Sequence, residues 1–240
     1  MRYHIDTIPI WESIESPNAC PLCYLHDKCE KSEIDKSLGG SVMEPDVRMR
    51  VSEQGFCGKH QILLYECNNR LGHALMLDSH SKELINKLTI LNQEYTNDSK
   101  FNGLFGRKKD HLSHKLKKLS SGCVICKATS FHMHRYFKTM LYLYKNDTTF
   151  KEKWLSGKMY CIPHVTSLIE EAEKTLSKNH RNDFIEVTLT HLIQSLSTTE
   201  KDLEWFLKKF DYNNHSLPWN NSKDALPRMI HLLRSSLKLN

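Results

Sequence analysis

The sequence predicts an all-α protein of two repeated helical halves, each stapled by one site of three cysteines and a histidine. Three observations lead there. A CxxC pair followed by a CxxH pair occurs twice in the same order. Apolar residues recur at helical spacing along most of the chain. Strand signals are nearly absent.

The motifs come first. Cys20-Pro21-Leu22-Cys23 is followed, after 33 residues, by Cys57-Gly58-Lys59-His60. Cys123-Val124-Ile125-Cys126 is followed, after 34, by Cys161-Ile162-Pro163-His164. The offsets between corresponding positions are 103, 103, 104 and 104 residues. Two donors three apart at a helix start point the same way, so each motif is a two-toothed clamp. Two clamps about 34 residues apart can meet across a helical hairpin, and this places one site in each half. Thiolate and imidazole suit zinc, and four protein donors leave no open position, which marks a structural site. The expected cofactor is two zinc ions, with Cys20, Cys23, Cys57, His60, Cys123, Cys126, Cys161 and His164 as ligands. Three alternatives stay open: an iron–sulfur cluster, CxxC redox chemistry without its βαβ setting, and a thiol-rich core with chance spacing.

Composition bounds the class. At 240 residues there is room for one large domain or two ordinary ones. Only 39% of residues are hydrophobic, so the core is modest and metal staples would help it. The net charge of +6 suits an acidic or phosphate-bearing partner. No apolar run approaches 18 residues, which predicts no membrane span. Met1 to Ile14 lacks the apolar stretch of a secretory signal. The expected compartment is a reducing cytoplasm, where eight cysteines do not form four disulfides. Cys29 and Cys67 are left outside the repeat.

Element by element, the reading starts with an arm, Met1 to Asn18, extended before Pro9 and briefly helical after it, closing on the Ser16-Pro17-Asn18 turn. A helix then carries Leu22, Leu25, Ile34 and Leu38, and Gly39-Gly40 ends it. Pro45, flanked by Glu44 and Asp46, opens a short helix that stops at Gly55. One long helix is expected from His60 to about Tyr95. Gly72 inside it implies a close neighbour or a bend. Residues 101–122 form a basic linker between an N-terminal half, 1–100, and a C-terminal half, 123–240. The second half predicts a helix from Cys123 to about Lys145 and a short one holding Phe150, Trp154 and Leu155, stopped by Gly157. Tyr160-Cys161 then matches Phe56-Cys57. A helix to about Lys178, a longer one from Asp183 to Phe210 and a last amphipathic one from about Ser222 to Leu237 complete the chain.

Two other stretches carry chemistry-bearing residues. Glu44, Asp46 and Arg48 cluster after the Gly-Gly break, and Arg70, His73, Asp78 and His80 lie along the long helix. Brought together they would line an acid/base or anion-binding pocket. The plainer reading is an ion-pair network with solvated histidines. Arg107, Lys108, Lys109, His111, His114, Lys115, Lys117 and Lys118 fall within residues 107–118, a stretch that would meet nucleic acid or an anionic membrane face. Leu112, Leu116 and Leu119 equally make it an ordinary amphipathic helix with a wet side. No phosphate loop, nucleophile elbow or HExxH is present.

The chain resembles an uncharacterised family of about this length from clostridia and related anaerobes, a domain of unknown function with paired CxxC and CxxH motifs. The likeness rests on Ile5-Asp6-Thr7-Ile8-Pro9, Cys20-Pro21-Leu22-Cys23, Ser41 to Arg48, and Gly55-Phe56-Cys57 with His60. It continues through Asn69-Arg70-Leu71-Gly72, Leu77-Asp78, the second CxxC, and Cys161 with Pro163-His164. It ends on Glu204-Trp205-Phe206, Lys208 to Tyr212, Pro218-Trp219 and Ser222 to Ala225. The resemblance implies a bacterial cytosolic protein and brings no activity.

The leading expectation is a zinc-stabilised, non-enzymatic interaction or regulatory protein whose partner is a protein or a small anionic ligand. The rivals are an enzyme built on the Glu44 to His80 residues, and a metal or redox sensor or iron–sulfur protein using the thiols themselves. Nucleic-acid binding through 107–118 comes last.

Overall fold

The helices that carry the motifs start at the motifs themselves. In the computed structural model, which describes residues 4–16, 20–101, 111–156 and 159–234, α2 (Pro21–Leu38) begins directly after Cys20. Likewise α4 (Gly58–Glu66) follows Cys57, α7 (Val124–Asn146) follows Cys123 and α9 (Ile162–Thr175) follows Cys161. The first donor of each motif therefore precedes the helix, and the second lies in its first turn. Pro21 and Pro163 suit those first turns, where a proline's missing N–H has no helical partner to lose.

The remaining elements are α1 (His4–Glu15), a 3₁₀ turn at Gly40–Met43, α3 (Pro45–Gln54), α5 (Arg70–Phe101), α6 (Leu112–Ser120), α8 (Thr148–Leu155), α10 (Lys178–Lys208), a 3₁₀ turn at Tyr212–Asn214 and α11 (Ala225–Arg234). There is no strand among the described residues, so the protein is all-α. No helix among them is long and apolar enough to cross a membrane.

The chain divides into two compact units. One joins residues 1–28 to 132–240, and the other is the continuous stretch 29–131. The division falls inside α2 and α7.

The discontinuous unit holds the larger core. Ile10 and Ile14 of α1, Leu22 and Leu25 of α2, and Met140 and Leu141 of α7 pack with Phe150, Trp154, Tyr160, Val165, Leu168 and Phe184. Trp154 stacks on Tyr160 with ring centroids 4.2 Å apart, and its Nε1–H donates to Thr188 Oγ1 at 3.3 Å. Each such ring contributes on the order of 1.5–3 kcal/mol by leaving water. Beyond α10 the chain turns around a lysine. Lys209 is 5% exposed. Its Nζ donates to the carbonyls of Asn214, His215 and Leu217 at 2.6, 2.8 and 2.6 Å, so a buried ammonium gathers three carbonyls of the turn, of which Asn214 O also accepts the Leu217 N–H at 3.1 Å.

In the continuous unit α3 lies along α5, burying Val42, Val51 and Met76. Gly55 ends α3 with φ of 63°, a left-handed conformation that glycine adopts without strain. A Cβ there would also sit 2.5 Å from His80 Nε2.

Several elements differ from the sequence reading. Pro9 does not break α1, which runs through it; only the bond to the carbonyl four residues back is forfeited. The long helix expected from His60 is two helices. Asn68 takes φ of 60°, and the Asn69 side chain accepts the Gly72 N–H at 3.0 Å while donating to Leu38 O at 2.7 Å. That is an N-cap, and it explains Gly72, because a Cβ there would meet the Asn69 side chain at 3.0 Å. Helix α9 ends at Thr175, α10 already starts at Lys178, and α11 begins at Ala225. Pro17, Asn18, Asn102, Gly103, Gly157 and Leu237 lie outside the described residues.

Candidate metal centres

The eight repeated donors form two clusters, but not the expected two. Cys20 and Cys23 meet Cys161 and His164, whereas Cys57 and His60 meet Cys123 and Cys126. Each CxxC is thus completed by the CxxH of the other half, which corrects the pairing within halves. Each cluster lies wholly inside one compact unit.

The local structure explains the exchange. A hairpin closing one half on itself would need the chain to turn back soon after each CxxC. Instead α2 and α7 run on unbroken for 18 and 23 residues. In the continuous unit the two motifs are stitched directly: Val124 N–H donates to Gly55 O at 3.1 Å. Gly122 packs so closely on Gln54 that a Cβ would stand 2.4 Å from its carbonyl oxygen. These two glycines bring the strand-like entries to Cys57 and Cys123 side by side. In the discontinuous unit Cys20, Cys23 and Cys161 belong to the large apolar core, and burial of Leu22, Leu25, Tyr160 and Val165 assembles them.

The geometry suits a tetrahedral ion. In the first cluster Cys161 Sγ lies 3.9 Å from Cys20 Sγ and 3.5 Å from Cys23 Sγ. His164 Nδ1 is 3.3 Å from Cys23 Sγ and 3.2 Å from Cys161 Sγ. In the second, His60 Nδ1 is 3.2, 3.2 and 3.3 Å from Cys57, Cys123 and Cys126, and Cys57 and Cys126 are 3.7 Å apart. A tetrahedron with metal–sulfur bonds of about 2.3 Å has sulfur–sulfur edges of about 3.8 Å. The donors already stand at those edges, so the residues fit such an ion.

Helix starts favour the anionic ligand forms. The Cys126 backbone N–H donates to Cys123 Sγ at 3.5 Å, using one of the orphan donors of the first turn. The positive end of each helix favours a thiolate there. Burial and neighbouring thiols push Cys20 up to about 12 and Cys126 up to about 12. Burial alone would raise Cys123 too, but its bond with His60 brings it down to about 6. Burial likewise works against a charged His60, yet its bonds to Cys123 and Glu30 lift it to about 10. Burial, with His26 nearby, lowers His164 to about 4.

The sequence reading missed Glu30. It is 4% exposed and its Oε1 lies 3.1 Å from His60 Nε2, with Lys59 Nζ donating to the same oxygen at 2.5 Å. With Nδ1 facing three thiols, His60 gives its other N–H to this carboxylate, the arrangement that orients a metal-bound imidazole. Glu30 sits mid-helix, seven residues beyond Cys23, and nothing in its spacing announced the role. Cys29 is buried and Cys67 exposed, and both fall outside the two clusters.

Five of the seven candidates for an acid/base pocket are engaged locally. Arg48 donates to Ser79 Oγ at 2.9 Å. Arg70 donates to Tyr65 O at 2.6 Å and stacks on the Tyr65 ring. His73 Nε2 is 2.7 Å from Gln61 Oε1, and burial, together with Arg70, disfavours its protonation. Asp78 pairs with exposed Lys82. His80 Nδ1 donates to Ser52 O at 2.8 Å, serving the open carbonyl end of α3. Glu44 precedes α3 and Asp46 lies in its first turn. No described contact joins a carboxylate of this set to one of its imidazoles or guanidiniums. Of the basic run, Arg107, Lys108 and Lys109 lie outside the described residues; His114, Lys115, Lys117 and Lys118 ride on α6, and His111 precedes it without a side-chain capping bond.

No curated protein and no solved structure matches the chain. A family model does, over residues 1–240, and its description is a family of unknown function. The chain belongs to that family, DUF6062.

Proposed function

We propose that this is a zinc-binding cytoplasmic protein of the interaction or regulatory kind, in which two Cys₃His sites hold the helices in place and catalyse nothing. The observation that carries the reading is the donor geometry: each cluster supplies four protein ligands at tetrahedral edge distances, which leaves no coordination position for a substrate. The local engagement of Arg48, Arg70, His73, Asp78 and His80 points away from the acid/base alternative.

A small anionic ligand or an acidic protein segment is the partner class. In the continuous unit a cleft of about 440 Å³ is lined by Lys87, Lys115 and Lys118 beside Ile90, Leu91 and Leu119, with Glu53 the acidic member. Lys87 and Lys115 already pair with Glu83 and Glu94 at 3.2 and 3.0 Å, so an acidic partner would share or replace those pairs over the apolar floor.

The test is elemental analysis with an absorption spectrum on protein purified without oxygen. Two zinc per chain and no visible colour are expected. Iron with broad visible absorption would overturn the reading and put electron transfer or oxygen sensing in its place.

A further inference from the structure

The two clusters have the same donors and different surroundings. Around the first, Cys20 and Cys161 are wholly buried and Cys23 nearly so, and His164 alone is half-buried. The residue after Cys161 is Ile162, packed against the large core, and Pro21 and Leu22 are buried between the two cysteines of the CxxC. Around the second, Cys123 and His60 are buried, but Cys57 is half-buried and Cys126 exposed. The position matching Ile162 is Gly58. It is exposed, and a Cβ built there meets nothing within 4 Å. The edge of the second cluster between Cys57 and Cys126, 3.7 Å apart, is therefore its accessible side, and Gly58 beside it has open space where Ile162 stands against the core.

We infer that the Cys57/His60/Cys123/Cys126 cluster is an exchangeable metal site, open at the Cys57–Cys126 edge to small thiols and amine chelators, whereas the Cys20/Cys23/Cys161/His164 cluster is closed to them. The inference rests on the zinc reading above. Ligand exchange at a filled four-coordinate site needs an entering donor to reach the ion before a protein ligand leaves. With an ion bound, the exposed Cys126 would be the ligand to give way: its Sγ would keep the electron pair of the bond and take up a proton from water, while the entering sulfur or nitrogen donor took its position. Nothing is oxidised. Cys123 and His60 stay behind in the buried half, where Glu30 holds the imidazole in place. The site is thus firmly held on one side and accessible on the other, a combination that serves delivery or sensing of a soft divalent ion.

The experiment uses the full-length two-zinc protein and an excess of the chromogenic chelator 4-(2-pyridylazo)resorcinol. One equivalent of zinc is expected in a fast phase and one in a slow phase, separated by at least about tenfold, the lower end of what surroundings change at metal sites. Quenching with N-ethylmaleimide after the fast phase, followed by peptide mass spectrometry, should label Cys57, Cys123 and Cys126 and spare Cys20, Cys23 and Cys161. Gly58→Ile removes no ligand and has open space for its side chain; it should slow the fast phase and leave the slow one unchanged. A single release phase, labelling of Cys20, Cys23 or Cys161 first, or a fast phase indifferent to Gly58→Ile would each overturn the inference while leaving two structural zinc ions intact. Protein that never carries two zinc ions would overturn the proposed function and this inference together.

Discussion

Glu30 Oε1 stands 3.1 Å from the outward nitrogen of His60, whose inward nitrogen faces three thiols. A buried carboxylate in that place fixes the ring and raises its donor strength. Glu30→Gln should lower zinc affinity at the second cluster by about 10–100-fold, with the first cluster unchanged. Competition titration against a chelator of known affinity reads both sites in one experiment.

The exchanged pairing has its own test. Cys161→Ser should cost one equivalent of metal and make Cys20 and Cys23 reactive to alkylation, while Cys57, Cys123 and Cys126 keep their ion. If Cys123 and Cys126 become reactive instead, the pairing is within halves after all. Cys57→Ser should give the mirror result, exposing Cys123 and Cys126.

Gly55 joins α3 to the second cluster with φ of 63° and His80 pressed against it. Gly55→Ala adds left-handed strain of roughly 1–3 kcal/mol and a collision with the imidazole. Urea denaturation should show the loss. Combining it with His80→Ala should return the collision part and not the strain.

Lys209→Met keeps the apolar stem and removes the ammonium. The carbonyls of Asn214, His215 and Leu217 lose their shared donor, and a hydrogen bond to a charged group contributes about 1.5–3 kcal/mol. A lower denaturation midpoint with metal content still at two per chain is the expected result.

Metal loading should release protons. Cys20 and Cys126 sit near 12 as bare thiols, so a cation must displace their protons to bind. Affinity then falls as the solution is acidified, and zinc added to weakly buffered metal-free protein should lower its pH. An unchanged pH would mean the thiols were already ionised.

The sequence made the donors legible and hid their partnership. A duplicated CxxC and CxxH read the same whether each CxxC closes on its own half or on the other, because the spacing repeats almost unchanged. What decides is tertiary: Gly122 against Gln54, Val124 on Gly55, and the apolar packing of Leu22 with Tyr160. Helix content was readable from periodicity, and the ends near Gly39 and Gly55 from their glycines. The break at Asn68-Asn69 was missed because apolar residues continue across it, although asparagine before a helix was a usable cap signal. Pro9 misled in the opposite direction, since α1 tolerates one missing bond where Ile10 and Ile14 are buried.

The exchange also makes the two closures nested loops. Cys57 and Cys126 are 69 positions apart, and Cys20 and Cys161, 141 apart, enclose them. Closing the outer loop on a free chain costs only about 0.6 kcal/mol more than closing the inner one, but it becomes easier once the inner is tied, because the free length shrinks. The order of assembly is then written into the topology. The inner knot forms first, within one uninterrupted stretch of chain. The outer knot joins residues 20–23 to residues 161–164, so a growing chain cannot complete it until Cys161 and His164 have been made.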